Sequence, residues 1–466
     1  MLAAAAPQLP PSQCASWEAS SLTGIPSLEC RTTAVPPISE TGVVIKVRAI
    51  GLNFADIFCV LGVYEAANKM LSDGSPPNSG GMAQAAGSFC PGLEFSGEAV
   101  AVGAAVTNIG VGDRVYGFTR FGAYRTVVVQ DAAYLRRVPD SWSYAEAAAL
   151  VVTGLTAWHG LVELGNVKRG RRVLIHSAAG GVGTAAMQIC TSLGAPPTGV
   201  VGAESKATWL QERFPEAEVL VRGRGRGYAA QLAALPSGGR FDCVLDSLGG
   251  KYFSAALGSL DPMGKIVHFG ATSSYGGAKD GLCGLRKWLT LLPGYLSRPW
   301  VDPGELTATN RTAAKSTIRG YLFTARSALS AAGGSTQGQL LTGALLGRLI
   351  FVSGTAGPRT PESAGRLRSL DAPGGPPQAT AKKSAPPSPA GSVFGFNMIW
   401  LTDRVDLLTA ELDEMLDGGG LLARPPAVGA VFPFARLPDA LKLLNSGTTV
   451  GKVVVEVGDD TEAPAA

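Results

Sequence analysis

A cluster of small residues, Ala178-Ala179-Gly180-Gly181-Val182-Gly183, is the part of this sequence whose types and spacing point most directly to chemistry. It follows an apolar run, VLIH, and opens a stretch, TAAMQICTSL, that is typical of a helix. Glycines there let the backbone turn tightly and approach a pyrophosphate, and the start of the helix offers unpaired N–H groups to its oxygens. The pattern predicts a dinucleotide site, with a plain tight turn as the alternative.

The residues after the next apolar run bear on which dinucleotide this is. Glu204 could bind the ribose hydroxyls of NADH, but Ser205 and Lys206 beside it offer a hydroxyl and a cation for a 2′-phosphate. Arg222 and Arg224, at the end of the predicted third strand, add positive charge. The sequence therefore favours NADPH over NADH. The competing interpretation is that Lys206 only solvates the start of its helix.

The sequence around these residues predicts two patterns of secondary structure. Residues 43–138 read as short β-prone runs punctuated by glycine, which suits a small barrel-like unit. From Ala145 onward a helical stretch is followed by strands and helices in alternation, the pattern of a parallel, doubly wound sheet. The predicted fold class is thus α/β, a β-barrel unit joined to a doubly wound sheet.

Length and composition agree with two units and exclude some classes of partner. The chain has 466 residues, 46% of them hydrophobic, which supplies more than one core. A net charge of +4 with 16% charged residues provides no electrostatic footprint for nucleic acid. Seven scattered cysteines favour reduced thiols in an intracellular protein. We find no apolar run long enough for a transmembrane helix and expect a cytoplasmic protein, leaving organelle targeting and peripheral membrane association open.

Two segments interrupt the pattern. Residues 72–88 form a small Gly/Ser/Pro-rich insertion in the first unit. Residues 301–392 form a larger insertion, rich in Pro, Ala, Gly and Ser toward its end, with eight prolines between Thr355 and Ser392. Such a composition buries too little apolar surface to offset the entropy of the chain, so we expect disorder from residue 355.

Several motifs occur together in one order. They are GLNFADIFCVLGVY (51–64), PGLEFSGEAVAVG (91–103), VGDRVYGF (111–118), EAAALVVTGLTAWHGL (146–161), the glycine cluster, DSLGG (246–250) and MGKIVHFG (263–270). With them the chain resembles the medium-chain dehydrogenase/reductase family, in its quinone oxidoreductase branch and most closely the synaptic vesicle membrane protein VAT-1 type. The resemblance covers about residues 43–298 and 393–457. It implies an NADPH-binding oxidoreductase.

The resemblance also implies a division of the chain. A GroES-like substrate and catalytic domain would occupy residues 41–145, and a Rossmann domain would occupy residues 146–300 and 393–424. Residues 425–458 would return to the GroES-like domain. We expect residues 1–40 to be disordered or irregular and residues 459–466 to be a disordered tail.

The zinc ligands of metal-dependent relatives have no counterpart in this sequence. Asn53 stands at the early cysteine position, and Leu93-Glu94 replaces the His-Glu pair. Leucine cannot coordinate a metal, and no four-cysteine cluster occurs. We therefore expect chemistry without zinc. Hydride transfer to an already electrophilic acceptor, a quinone or an α,β-unsaturated carbonyl, needs no Lewis acid.

Two residues match the active site of the family. Asn53 resembles its active-site amide and Tyr64 the tyrosine lining the cleft, so each could donate a hydrogen bond to the acceptor oxygen. Alternatively, Asn53 caps a helix starting at Phe54, and Tyr64 only packs. Phe58 and Val60 replace polar residues common in this branch, which suggests a greasier acceptor or a lost activity.

Further cofactor contacts are implied only by matching positions. Any of them could equally be scaffold: Thr156, Ser247, Leu248, Gly270, Ala271, Phe394, Phe396 and Lys452.

Two other functions stay open beside the reductase. One is a weakly or non-catalytic cofactor-binding protein at vesicle or organelle surfaces, and the other is an enoyl thioester reductase. The family also implies a homodimer and a small-molecule acceptor.

Overall fold

The computed structural model describes residues 11–74, 84, 86–223, 227–270, 392–396, 398–402, 404–418 and 424–459. Several expectations therefore lie outside the described residues. These are the insertion over 301–391 with its predicted disorder, most of the smaller insertion, and the tail over 460–466. The cofactor contacts expected from Arg224 and Ala271 lie outside them as well.

The strands are β1 (Gln13–Ala19), β2 (Leu28–Ala34), β3 (Gly42–Gly51), β4 (Glu94–Val102), β5 (Arg114–Phe118), β6 (Val127–Asp131), β7 (Leu135–Arg137), β8 (Val173–His176), β9 (Pro197–Val201), β10 (Glu218–Val221), β11 (Phe241–Asp246), β12 (Leu260–His268), β13 (Ser392–Gly395), β14 (Val428–Pro433) and β15 (Lys452–Glu456). The α-helices are α1 (Phe54–Val60), α2 (Glu65–Asp73), α3 (Tyr144–Ala148), α4 (Val151–Trp158), α5 (Gly181–Leu193), α6 (Glu204–Arg213), α7 (Tyr228–Ala233), α8 (Gly250–Leu257), α9 (Met398–Leu401), α10 (Val405–Gly418) and α11 (Leu437–Ser446). A π-helical turn, His159–Leu164, continues α4.

A seven-stranded sheet forms the first unit, in the order β14-β15-β3-β4-β5-β7 with β6 paired to β3. Its core is apolar and closed to solvent, with Ile45, Ile50, Phe95 and Leu135 fully buried. Strand β15 comes from the end of the chain and pairs antiparallel with β3, setting Val454 opposite Gly51. The C-terminal segment thus returns to the first unit, and the GroES-like part of the predicted fold is confirmed.

Residues 13–34 differ from the expectation of a disordered or irregular N-terminal region. Strands β1 and β2 form an antiparallel ribbon, and the indole N–H of Trp17 donates to the carbonyl of Phe434 at 2.9 Å. Ser16 also forms a bridge with Arg125. The small residues of QCASWEA give little local strand signal, and two of the partners that hold the ribbon against the barrel, Thr126 and Phe434, lie more than 100 residues away.

The second unit is a six-stranded parallel sheet in the order β10-β9-β8-β11-β12-β13. This is the doubly wound order 3-2-1-4-5-6, whose direction reverses between its first and fourth strands, here β8 and β11. Ligands of such sheets bind outside the carboxyl ends of the strands at that reversal. The predicted doubly wound sheet is therefore confirmed, and the glycine cluster after β8 lies at the expected edge.

Helix α10, from the segment after residue 391, packs on both units. Gly154 of α4 lets it approach closely, because a Cβ there would lie 2.9 Å from the sulfur of Met415. Arg136 of β7 binds Asp413 through two N–H groups, at 2.6 and 2.9 Å. Within the described ranges, no helix combines the length and apolarity needed to cross a bilayer.

Candidate cofactor and acceptor site

The glycine cluster forms the turn between β8 and α5. Ser177 has a positive φ of 53°, and Gly180 is the N-cap of α5 without a side-chain cap. A Cβ on Gly183 would lie 2.3 Å from the carbonyl oxygen of Ser177, so only glycine fits this close contact between helix and turn. The first N–H groups of α5 are left for a ligand, which is the arrangement that holds phosphate oxygens.

The start of β15 contacts this turn directly. Gly451 donates its N–H to the carbonyl of Ala179 at 2.7 Å, and Gly180 and Gly451 form an isolated parallel bridge. The Lys452 side chain therefore lies beside the helix start, where a Cβ on Gly181 would be 3.4 Å from its Cδ. A lysine from one unit is thus fixed at the glycine turn of the other.

Lys452 also reaches the predicted active-site amide. Its ammonium lies 2.6 Å from Oδ1 of Asn53 and 2.5 Å from Oε1 of Glu94, and the three side chains are buried. The Asn53 amide nitrogen donates to the same Glu94 oxygen at 2.9 Å and to the carbonyl of Gly51 at 3.3 Å. We call Asn53, Glu94 and Lys452 the buried triad.

Chemistry fixes the orientation of this amide. Lysine can only donate and an ionised carboxylate can only accept, so Oδ1 must face Lys452 and the amide nitrogen must face Glu94. Both N–H groups of Asn53 are then engaged within the protein. Direct donation to an acceptor oxygen, the role proposed from the sequence, would require Asn53 to give up one of these bonds.

Asp56 holds the backbone of Asn53 in place. Its Oδ2 accepts the backbone N–H of Asn53 at 2.8 Å, at the start of α1, so the predicted helix start at Phe54 is confirmed. Burial raises the pKa of Asp56 to about 7, against the opposing effects of that hydrogen bond, Tyr124 and Lys452. Asp56 is thus a buried carboxyl that titrates near neutral pH.

The ends of β9 and β10 carry the residues predicted to select the cofactor. The Arg222 guanidinium lies over the ring of Tyr252, 4.9 Å from its centre, and donates to its hydroxyl at 3.1 Å. A Cβ on Gly202 would be 3.3 Å from the same guanidinium. Lys206 donates to the carbonyl of Gly447 at 2.7 Å, and burial with the charge of Arg222 lowers the pKa of its ammonium.

Ser205 is exposed in the first turn of α6, beside Lys206. The structure thus brings a hydroxyl, an ammonium and a guanidinium to one edge of the sheet.

A buried hydrogen-bond chain connects the carboxyl ends of β8, β11 and β12. Asp246 lies 2.5 Å from Nδ1 of His176 and 2.7 Å from Nδ1 of His268, and Nε2 of His176 lies 2.8 Å from the hydroxyl of Tyr228. Burial alone would raise the pKa of Asp246, but the bonds from both histidines outweigh it and hold that pKa well below its usual range. Both histidines therefore help to orient this edge.

Of the other predicted contacts, Ser247 and Gly270 lie at the same edge. The Thr156 hydroxyl donates to the carbonyl of Val152 at 2.6 Å, and Ser247 donates to the Ser177 hydroxyl at 2.8 Å. A Cβ on Gly270 would be 3.3 Å from the carbonyl oxygen of Ser247. Leu248 is buried in the sheet core.

The residues after β12 contribute two aromatic rings. The ring of Phe396 lies 4.9 Å from that of His159, and the ammonium of Lys265 lies 5.5 Å from the centre of the Phe394 ring.

Tyr64 precedes α2 and contacts Phe58, with ring centres 6.0 Å apart. Val60, expected to make the acceptor site less polar, is fully buried in the barrel core instead. Its replacement of a polar residue therefore bears on packing rather than on the polarity of the cleft.

Metal ligands are not assembled in the part of the chain that the structure describes, where no three His, Cys, Asp or Glu side chains could hold an ion together. Leu93, which stands in place of the histidine of the His-Glu pair, is buried. Burial raises the pKa of Cys90 to about 12 and that of Cys59 well above its usual value. Both are therefore protonated thiols in the metal-free protein.

Sequence reasoning missed Glu94, Asp56 and Tyr252 as parts of the site. Glu94 was weighed only as half of a metal-ligand pair. The signal was present, since Glu94 is the one acidic residue in the apolar run PGLEFSG, and an unpaired buried carboxylate is costly.

A GroES-like barrel joined to a doubly wound sheet, with a glycine turn at the reversal of that sheet, is the arrangement expected of a nucleotide-binding oxidoreductase. The chain matches the family model for the alcohol dehydrogenase GroES-like domain over residues 39–140 and that for zinc-binding dehydrogenase over residues 181–290. These matches and the VAT-1 relatives support a medium-chain dehydrogenase/reductase of the VAT-1/quinone oxidoreductase type.

Relatives and solved structures agree with this assignment. The synaptic vesicle membrane protein VAT-1 homolog of Danio rerio is 33% identical over 260 residues, 54% of this chain and 48% of that protein. The pikromycin polyketide synthase component PikAII of Streptomyces venezuelae is 35% identical over 254 residues, 54% of this chain and 6% of that protein. The chain thus spans about half or far less of these relatives.

Two solved structures share the fold. The CurK enoyl reductase has a TM-score of 0.63 at 22% identity, covering 96% of this chain and all of that one. The mycobacterial Rv1454c complexed with NADPH has a TM-score of 0.61 at 23% identity, covering 95% of this chain and 99% of that one. At these identities the likeness concerns the fold.

Proposed function

We propose that this protein is an NADPH-dependent, zinc-independent oxidoreductase that delivers hydride to a quinone or an α,β-unsaturated carbonyl. The observation that carries the proposal is the uncapped start of α5 at the reversal of the sheet, with Lys452 beside it and Arg222 at the end of β10. A pyrophosphate and a 2′-phosphate would meet positive charge at these two places.

The residues present fit such a cofactor. Gly183 cannot carry a side chain, and the first turn of α5 has no protein cap, so the turn is shaped for oxygens from outside the chain. Lys206, Ser205 and Arg222 would hold the 2′-phosphate, and Ser247 and Gly270 border the same edge. Thr156 and Phe396 would line the nicotinamide end. When bound, NADPH supplies the hydride.

The chain's own residues then have to stabilise negative charge that develops on the acceptor oxygen. Lys452 is the buried cation of the acceptor side, and its ammonium retains one N–H beyond those given to Asn53 and Glu94. Tyr64, at the start of α2, is the proposed second donor. The wide apolar cluster around Tyr64, including Phe89 and Phe121, would exclude water and favour an apolar acceptor.

An acceptor screen tests this function. The full chain is mixed with NADPH and with ortho-quinones, para-quinones and enals, and NADPH consumption is followed. Turnover of at least one class with NADPH, and slower turnover with NADH, is expected. Binding of NADPH without turnover of any acceptor would overturn the reductase and favour a cofactor-binding role.

Likeness to the CurK enoyl reductase and to polyketide synthases favours a second candidate, reduction of an enoyl thioester. The same hydride transfer applies, and only the acceptor differs. An enoyl thioester in the same screen decides: faster turnover than any quinone would replace the quinone assignment.

The VAT-1 relatives support a third candidate, a weakly catalytic cofactor-binding protein at vesicle or organelle surfaces. Deleting residues 355–392 would separate it from the reductase. Unchanged NADPH consumption with altered cellular distribution would support a localising role for that segment.

We also infer a homodimer, which light scattering of the full chain would test.

A further inference from the structure

Glu94 is the centre of the buried triad, and three donors from different parts of the chain converge on its carboxylate. Oε1 accepts from the Asn53 amide at 2.9 Å and from the Lys452 ammonium at 2.5 Å. Oε2 accepts the backbone N–H of Val152 at 2.9 Å, at the start of α4. Strand β4, strand β15 and the helix that carries Thr156 are therefore tied to one side chain.

Only a carboxylate can satisfy this arrangement. An ionised carboxylate accepts at both oxygens, whereas a glutamine would present an NH₂ group to one of the donors. The carboxylate is fully buried and Lys452 is nearly so, with side-chain exposures of 0% and 4%. A buried charge of this kind is retained only with good partners, and removing either one leaves the other uncompensated.

The positive charge of Lys452 would attract two anionic groups, the Glu94 carboxylate and the proposed pyrophosphate. Its ammonium binds Glu94, and its stem lies beside Gly181 at the start of α5, where the proposed pyrophosphate would bind. A carboxylate at 2.5 Å offsets part of the positive charge that the phosphates would meet. The same carboxylate holds the Asn53 amide in the orientation described above.

We propose that Glu94 is a positioning residue that, together with the Asn53 amide it orients, holds the Lys452 ammonium on the acceptor side and moderates the attraction of Lys452 for the cofactor phosphates. This inference rests on the proposed NADPH-dependent function. It predicts opposite effects on binding and turnover, because Glu94 weakens ground-state cofactor binding while ordering the acceptor side.

The test uses the full chain and measures the Kd for NADPH by nicotinamide fluorescence, together with kcat on the best acceptor of the screen. Glu94→Gln should bind NADPH about three- to tenfold more tightly, because the Lys452 charge is no longer offset. Its kcat should fall about tenfold or more, because the Lys452 ammonium loses the carboxylate that fixes its place on the acceptor side. Glu98→Gln, on the same strand and half exposed, is the matched control and should change neither value.

Variants of Lys452, combined with Glu94→Gln, form a double-mutant cycle. Lys452→Met should weaken NADPH binding about tenfold or more, and Lys452→Arg should restore most of it. In the double variant Glu94→Gln/Lys452→Met, the substitution at 94 should no longer tighten binding, since the charge it released is gone. Additive effects of the two substitutions on Kd would overturn the inference.

A variant with a shorter acidic side chain tests the inference if Glu94→Gln does not fold. Glu94→Asp keeps the charge but moves it by one methylene, so the Kd for NADPH should stay near that of the unchanged protein while kcat falls. Parallel losses of both values, in step with the melting temperature, would reduce Glu94 to a purely structural role. Failure of the unchanged protein to bind NADPH would instead reject the proposed function itself.

Discussion

The backbone N–H of Gly451 donates to the carbonyl oxygen of Ala179 across 2.7 Å, joining the last strand of the barrel to the glycine turn of the parallel sheet. The bond sets Lys452, the next residue, at the start of α5. Because Gly451 has a φ of +58°, the geometry of this contact depends on glycine. The junction of the two units is therefore part of the proposed cofactor site.

Gly451→Ala should damage both stability and cofactor binding. A Cβ at this position would lie 2.3 Å from the carbonyl oxygen of Ala427, in addition to the cost of the positive φ. We expect a loss of about 2–4 kcal/mol in the free energy of unfolding and weaker NADPH binding.

Thermal unfolding and fluorescence titration measure both effects. Gly112→Ala is the control, because Gly112 also has a positive φ but nothing lies within 4 Å of its Cβ position. A Gly451 variant no worse than this control would contradict the close contact.

Asp56→Asn should raise stability at alkaline pH relative to the unchanged protein. The folded state raises the pKa of Asp56 from 3.8 to about 7, so its contribution is most favourable below pH 4 and is lost as the pH rises through 7. Asparagine keeps the carbonyl that accepts the Asn53 N–H and does not ionise.

The advantage of the variant should grow between pH 5 and pH 8 to no more than about 4 kcal/mol. Denaturant unfolding at the two pH values gives the comparison. An advantage that is constant with pH would show that Asp56 does not titrate in this range.

The sequence predicted the architecture well because its signals are local. Apolar runs followed by turn residues gave β8, β9, β11 and β12, and the glycine cluster marked the start of α5. The buried triad could not be found in this way. Asn53, Glu94 and Lys452 are up to 399 residues apart, and only the pairing of β15 with β3 brings them together.

The contacts that hold the N-terminal ribbon against the barrel were missed for the same reason. The partners of Trp17 include Tyr124 and Phe434, and no local pattern announces them. Asn53 illustrates a different limit: its position was predicted, but the engagement of both its N–H groups depends on neighbours that the sequence does not place.

Tyr252→Phe should weaken binding of NADPH selectively. The hydroxyl accepts an N–H from Arg222 at 3.1 Å, while the ring that the guanidinium covers would remain. Losing one such hydrogen bond predicts about a three- to tenfold rise in the Kd for NADPH and little change for NADH.

Paired titrations with the two cofactors measure the difference. Tyr144→Phe, whose ring lies under Arg114 at 4.8 Å, is a matched control away from the site. An equal rise for NADH would mean that Tyr252 supports the fold of this edge rather than recognition of the 2′-phosphate.

The most direct measurement compares the Kd values for NADPH and NADH in the unchanged protein and in Arg222→Leu, with Arg171→Leu as a control for loss of a surface charge. The proposed function predicts that the unchanged protein binds NADPH at least about tenfold more tightly than NADH, and that Arg222→Leu removes most of this preference through the NADPH value. Equal affinity for the two cofactors, or no binding of either, would contradict it.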